Sequence, residues 1–225
     1  MKAYYITVRE GAMGTDFHVG EEFREINRQC YLWNASKPVE NPELLPKVIR
    51  QLDDKKLHDV FWAENFGIVN DRFKDIIEAH EPDVSEFFPI TVLDKKGNAY
   101  DKPHYIFHPI QRVTCVLRSE RKPSIIWVRD TGQPIYRYSE SHLVLSAPQI
   151  GNRKVFTAQF GGNGLIVTKE IGDALKKTPK IRYLRMHDVK LLDRPWVPEE
   201  NIPELLQWYA EHPEESMPEH LGEAL

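Results

Sequence analysis

A short pattern occurs twice in this chain, and it limits the fold more than any other stretch. Phe66-Gly67-Ile68-Val69-Asn70-Asp71-Arg72-Phe73-Lys74-Asp75-Ile76-Ile77 aligns without a gap with Gly164-Leu165-Ile166-Val167-Thr168-Lys169-Glu170-Ile171-Gly172-Asp173-Ala174-Leu175. Each copy reads as a short β-branched strand, a polar capping residue (Asn70, Thr168) and an amphipathic helix. Each is followed by a further apolar strand, at residues 87–93 and 181–186. The pattern predicts a strand–helix–strand unit used twice.

The helices follow from residue spacing. Phe73, Ile76 and Ile77 stand at i, i+3 and i+4, while Arg72, Lys74, Asp75 and Glu78 take the wet face. Ile171, Ala174 and Leu175 repeat the stripe. Pro82 and Pro179 mark the two ends, because proline cannot continue a helix. Gly172 weakens the second helix by about 1 kcal/mol against alanine, so packing must hold it.

Between the copies, strands at 105–107, 113–117, 125–128, 135–138 and 143–145 alternate with turn chemistry. The turns are Asp94-Lys95-Lys96-Gly97-Asn98, Asp130-Thr131-Gly132 and Gly161-Gly162-Asn163-Gly164. These local hairpins predict an α+β fold, a mostly antiparallel sheet with packed helices. A doubly wound fold is disfavoured because helices do not alternate with the strands. Residues 4–8 read as an edge strand, and Asn41-Pro42-Glu43 as the capped start of a helix. A last helix starts at Asn201-Ile202-Pro203 and stops at Pro213. Its apolar stripe is Ile202, Leu205, Leu206 and Tyr209, with Trp208 beside it. The expected organisation is an N-terminal extension (1–60), an α+β body (61–198) and an acidic C-terminal helix and tail (199–225).

Composition narrows the class. A chain of 225 residues can bury one large core or two small ones. Mean hydropathy of -0.51 and the lack of a long apolar run argue against a membrane span. The N-terminus turns polar too soon for a secretory signal and reads as strand. Cys30 and Cys115 show no Cys-x-x-Cys spacing, so neither a disulfide framework nor a zinc ribbon is expected. Reduced thiols in a cytoplasmic protein are the plain reading. Of the 34 acidic residues, eight lie at 199–225, where there is no Lys or Arg, so the remainder carries net positive charge from 30 basic residues. Such a tail repels nucleic acid, and reads either as a solvated terminus or as a docking surface for a basic partner.

Residues that could carry chemistry have plainer explanations. Asp130-Thr131-Gly132 matches the aspartic-protease tripeptide, but that chemistry needs a second carboxylate sharing one proton, and Gln133-Pro134 suits a hairpin. Gly161-Gly162-Asn163-Gly164 leads into a strand, where a phosphate cradle would lead into a helix. His104 and His108 lie among prolines in extended chain with no third ligand in view, so no metal site is expected. Ser139, Ser141 and His142 lack the context of an activated nucleophile. Arg112, Arg118, Arg121, Lys122 and Arg129 cluster among aromatic strands, with Trp127 and Arg129 on one face. This keeps a nucleic-acid-binding module as an alternative. A second alternative is an enzyme or small-ligand binder whose site is assembled from distant residues such as Asp130, His142 and Arg129.

The order of elements resembles a family of bacterial immunity proteins encoded beside toxins in polymorphic-toxin and type VI secretion loci. The residues that carry the resemblance are Gly67-Ile68-Val69-Asn70-Asp71-Arg72-Phe73-Lys74, Glu81-Pro82-Asp83 and Phe87-Phe88-Pro89-Ile90-Thr91-Val92. A Gly-containing turn and a Tyr-bearing strand follow (Gly97 to Tyr105), then the second strand–helix–strand segment. The resemblance covers roughly residues 66–189. It leaves the first sixty residues and the acidic tail unexplained. It implies a protein that is not an enzyme and has no catalytic residues, cofactor or metal. Its partner would be a cognate toxin or effector, bound so as to cover the surface the toxin needs. The expected partner-binding residues are Glu199, Glu200, Glu204, Trp208, Tyr209, Glu211, Glu214 and Glu215, with the two aromatics as anchors in a charged rim. The plainer reading of Trp208 is that it packs the last helix onto the body.

Overall fold

The computed structural model describes residues 2–8, 17–18, 38–53, 56–63, 66–118, 123–129, 132–138, 143–159, 164–178, 181 and 184–215. The strands are β1 (Ala3–Val8), β2 (Phe17–His18), β3 (Val48–Gln51), β4 (Val60–Ala63), β5 (Phe66–Asn70), β6 (Ser85–Leu93) and β7 (His104–Pro109). They continue as β8 (Arg112–Val113), β9 (Ser124–Trp127), β10 (Pro134–Arg137), β11 (Val144–Ser146), β12 (Val155–Ala158), β13 (Leu165–Thr168) and β14 (Leu184–Leu192). The helices are α1 (Asp71–His80), α2 (Ala147–Ile150), α3 (Lys169–Lys177), α4 (Pro198–Asn201) and α5 (Pro203–Glu211).

The chain forms two compact units: Met1–Tyr5, Arg112–Lys169 and His187–Leu225 make the first, and Ile6–Gln111 with Glu170–Met186 the second. One six-stranded sheet runs β11-β14-β1-β13-β12-β8, another runs β2-β3-β6-β7-β5-β4, and β9 and β10 form a two-stranded ribbon. The first unit's core gathers Tyr5, Val116, Leu145, Phe156, Ile166 and Trp196 among others. In the second unit Leu45 and Ile49 share a core with Phe61, Ile68, Val92 and Ile106.

The α+β content is as expected, but the sheets are mixed. β3 pairs with β6, β8 with β12, and β11 with β14 in parallel. Each of these pairs joins strands far apart in sequence, and hairpin signals report only neighbours. The antiparallel pairs β6–β7, β9–β10 and β12–β13 are the ones that local turns announced. Gly97 and Gly132 close their turns with φ of 89° and 68°, where glycine costs least.

The two repeated segments behave differently. In the first, Asn70 Oδ1 accepts the Phe73 amide at 3.0 Å and caps α1, which buries Phe73 and Ile77. In the second, Thr168 does not cap α3: its buried hydroxyl has no partner. The Lys169 amide donates instead to the Lys2 carbonyl at 2.8 Å, so backbone satisfies the helix start. Gly172 is buried beside Ile171 and Leu175 on α3. The β5–α1–β6 segment lies within the second unit, whereas β13–α3–β14 is divided between the units. The aligned positions Phe73 and Ile171, and Ile77 and Leu175, are buried in both helices, so the two segments share a buried stripe while their helix starts differ.

Three other expectations shift. Asn41-Pro42-Glu43 opens only a single 3-10 turn, Pro42–Leu44, without a side-chain cap, and strand β3 follows. The strand expected at 113–117 shortens to β8 plus a bridge from Val116 to Leu145. That expected at 181–186 moves to β14. The glycine turn at 161–163 lies outside the described residues.

Candidate functional site

The candidate site is built on α4 and α5, and its side chains divide into two sets. Each helix has a proline in its first turn, where the missing amide is no loss. Asn201, expected as a cap, is buried between them: its Oδ1 accepts the Arg118 amide at 2.6 Å and its Nδ2 donates to the Val197 carbonyl at 2.8 Å. Glu204 lies in the first turn of α5. Its carboxylate accepts both arms of the Arg118 guanidinium, at 2.7 and 3.0 Å, and the Tyr136 hydroxyl at 2.6 Å. The same hydroxyl accepts the Leu205 amide at 3.2 Å. One carboxylate thus ties α5, β10 and the chain after β8 together.

Arg118, then Tyr136, hold the Glu204 carboxyl down to about 2 despite partial burial. Burial chiefly pushes the Tyr136 phenol up, and raises Tyr138 to about 12. The carboxylate is ionised and paired and both phenols keep their protons, so the cluster is suited to holding structure rather than moving protons.

Trp208 is buried, stacks on His212 with ring centroids 4.5 Å apart, and meets Tyr209 edge-on at 5.0 Å. Tyr209 is half-buried and its hydroxyl accepts from Gln133 at 3.2 Å. Burial raises its phenol most, and the nearby Glu215 carboxylate adds to the shift. Glu199, Glu200, Glu211, Glu214 and Glu215 are exposed. Glu200 pairs with Arg194, and Glu211 accepts from Gln207 at 2.9 Å. Of the expected interface residues, Glu204 and Trp208 therefore face inward and these five face solvent.

Sequence reasoning singled out Trp127 only beside Arg129 and missed the exposed Ile126–Ile135 pair of the β9–β10 ribbon. Ile126 and Ile135 are directly paired across the strands and are 41% and 50% exposed, and Trp127, opposite Pro134 at the pair nearest the turn, is 56% exposed. Ile125 and Tyr136, the next pair along, face the core, so alternation puts Ile126 and Ile135 on the outer side and Trp127, with its buried partner Pro134, at the tip on the other side. Ile125-Ile126-Trp127 is apolar at every position, which reads as a strand buried on both faces. The exposure of Ile126 and Ile135 shows instead that one side of the ribbon has no layer of the described residues packed over it.

The other candidates disperse. Half-buried Arg112 is lowered by desolvation, Arg118 is committed to Glu204 and Arg129 is exposed, so these described arginines do not line one outward stripe. His104 and His108 are both buried on β7, the Nδ1 of His104 without a partner and its pKa lowered by burial. Among the described residues no group of three or more His, Cys, Asp or Glu side chains is arranged to hold a metal. Burial pushes the Cys115 thiol well above its ordinary range, which leaves it a poor nucleophile. Cys30, Arg121, Lys122, Asp130, Thr131, Ser139, Ser141 and His142 lie outside the described residues. No helix among the described residues is long and apolar enough to cross a membrane.

A model of the immunity protein family Imm11 matches residues 8–191. The chain belongs to the Imm11 family of immunity proteins. The match begins well before residue 66, so the first sixty residues, which the sequence resemblance left aside, are largely part of the Imm11 region. It ends at the close of β14, before α4 and α5, while the β9–β10 ribbon lies inside it. No match was found among the curated proteins.

Proposed function

We propose that this immunity protein binds a cognate toxin in the cytoplasm and neutralises it by covering the surface the toxin needs, within a polymorphic-toxin or type VI secretion system. The observation that carries this reading is the Imm11 match across most of the chain. The residues support it. Glu204, Tyr136, Cys115 and His104 are each taken up by packing or pairing that holds the fold. A protein that acts by occlusion needs rigidity and surface, and transforms nothing.

The exposed carboxylates Glu199, Glu211, Glu214 and Glu215 form the acidic part of the docking face and steer a basic partner toward it, while Glu200 is paired with Arg194. Glu204, Trp208 and Tyr209 serve that face from behind, by fixing α5. The test is protection. Cells that express the product of the adjacent gene stop growing, and co-expression of this chain restores growth. Growth arrest that persists beside abundant, folded immunity protein would sink the proposal.

A further inference from the structure

We infer that the β9–β10 ribbon, through the Ile126–Ile135 pair on its outer side and Trp127 at its tip, is the apolar centre of the docking face, and that it seats on a lysine- and arginine-rich protein surface with an apolar patch at its middle. This rests on the immunity reading above, and adds which residues make the contact and what chemistry the partner presents.

Among the described residues of the first unit, the large apolar side chains left exposed are Ile126, Trp127 and Ile135, all on this ribbon. Scattered exposed apolar residues need no explanation, but three together on one small ribbon mark a surface that is covered in use. Tryptophan is the residue type most often found to dominate binding energy. The ribbon is also held still. A lone two-stranded hairpin is marginal in water, yet here Ile125 packs on the core and Tyr136 is bonded to Glu204 and Leu205. The ribbon's exposed residues are thus presented at little further cost in conformational entropy on binding.

Charge decides the occupant. The ribbon's turn meets α5 through Gln133 and Tyr209, and Glu215 lies close enough to influence that phenol. From Trp196 to Glu215 there is no Lys or Arg. Glu204 and Glu200 are neutralised by Arg118 and Arg194, which leaves Glu211, Glu214 and Glu215, at the end of the helix that the ribbon's turn meets, against the exposed Arg129. An apolar centre flanked by uncompensated carboxylates is complementary to an apolar centre flanked by cations. A polyanion such as nucleic acid would be repelled by the same rim.

The probe is the purified protein encoded by the adjacent gene, titrated with full-length wild type, Trp127→Ala, and a double variant Ile126→Thr with Ile135→Thr. Threonine keeps the β-branched shape that strands favour, so the double variant preserves the ribbon while removing apolar surface. Both variants are expected to melt like wild type and to bind at least about tenfold more weakly, through faster dissociation. Replacing Glu211, Glu214 and Glu215 by Gln is expected to slow association and flatten its salt dependence. Tight binding by wild type with unchanged affinity in the folded ribbon variants would overturn this inference and leave the immunity reading standing. Absence of binding by wild type would overturn both. Wild-type retention of nucleic acid at moderate salt, lost in Trp127→Ala, would overturn the choice of partner.

Discussion

At Gly164 the backbone meets a wholly buried ring: its amide donates to the Tyr5 hydroxyl at 2.9 Å, and a Cβ there would overlap the Tyr5 side chain. The glycine read from sequence as turn material is needed for this close approach. Gly164→Ala is expected to destabilise the protein by about 1–3 kcal/mol, the usual cost of overpacking, measured as a lower urea midpoint with unchanged slope. An unchanged midpoint would contradict the packing. Glu204 makes a prediction with a sign in pH. Its folded pKa lies near 2, below the ordinary 4.5, so its stabilisation is complete above 4.5 and is lost as the pH falls through that value toward 2. Glu204→Gln is expected to cost about 2 kcal/mol at neutral pH, and the gap from wild type should narrow at pH 3. A gap that stays constant between those conditions would show that Arg118 pairing is not what holds the carboxylate down.

At the scale of elements, the sequence was legible where signals are local. The spacing of Phe73, Ile76 and Ile77 placed α1, Asn70 supplied its cap, and Gly97 and Gly132 closed hairpins. What escaped was non-local. Nothing near residue 48 announces that β3 lies parallel to β6, and nothing at Thr168 shows that the Lys2 carbonyl satisfies the next amide. The candidate site divides in the same way. Acid content marked the exposed carboxylates, but hydrophobic spacing could not tell that Trp208 is buried while Trp127 is open, because that depends on what packs over each side chain. A consequence follows for α5. Removing residues 199–225 strips Ile202, Leu205 and Trp208 from the buried interior, a loss of about 5 kcal/mol or more. Such a truncation is expected to melt early or aggregate, whereas Gln at the exposed positions 199, 211, 214 and 215 should keep stability within about 0.5 kcal/mol. A truncation as stable as the full chain would contradict this packing.

At the scale of the whole molecule, the Imm11 match and the inward commitment of its reactive side chains point the same way. On the proposed reading, the protein offers a fixed, mostly acidic face with an apolar centre and works by contact. The most direct measurement is a calorimetric titration of the purified, folded chain into the product of the adjacent gene. The account predicts a saturable complex of defined stoichiometry with nanomolar or tighter affinity, and loss of the toxin's activity in step with saturation. No heat and no inhibition at micromolar concentrations of both proteins would contradict it.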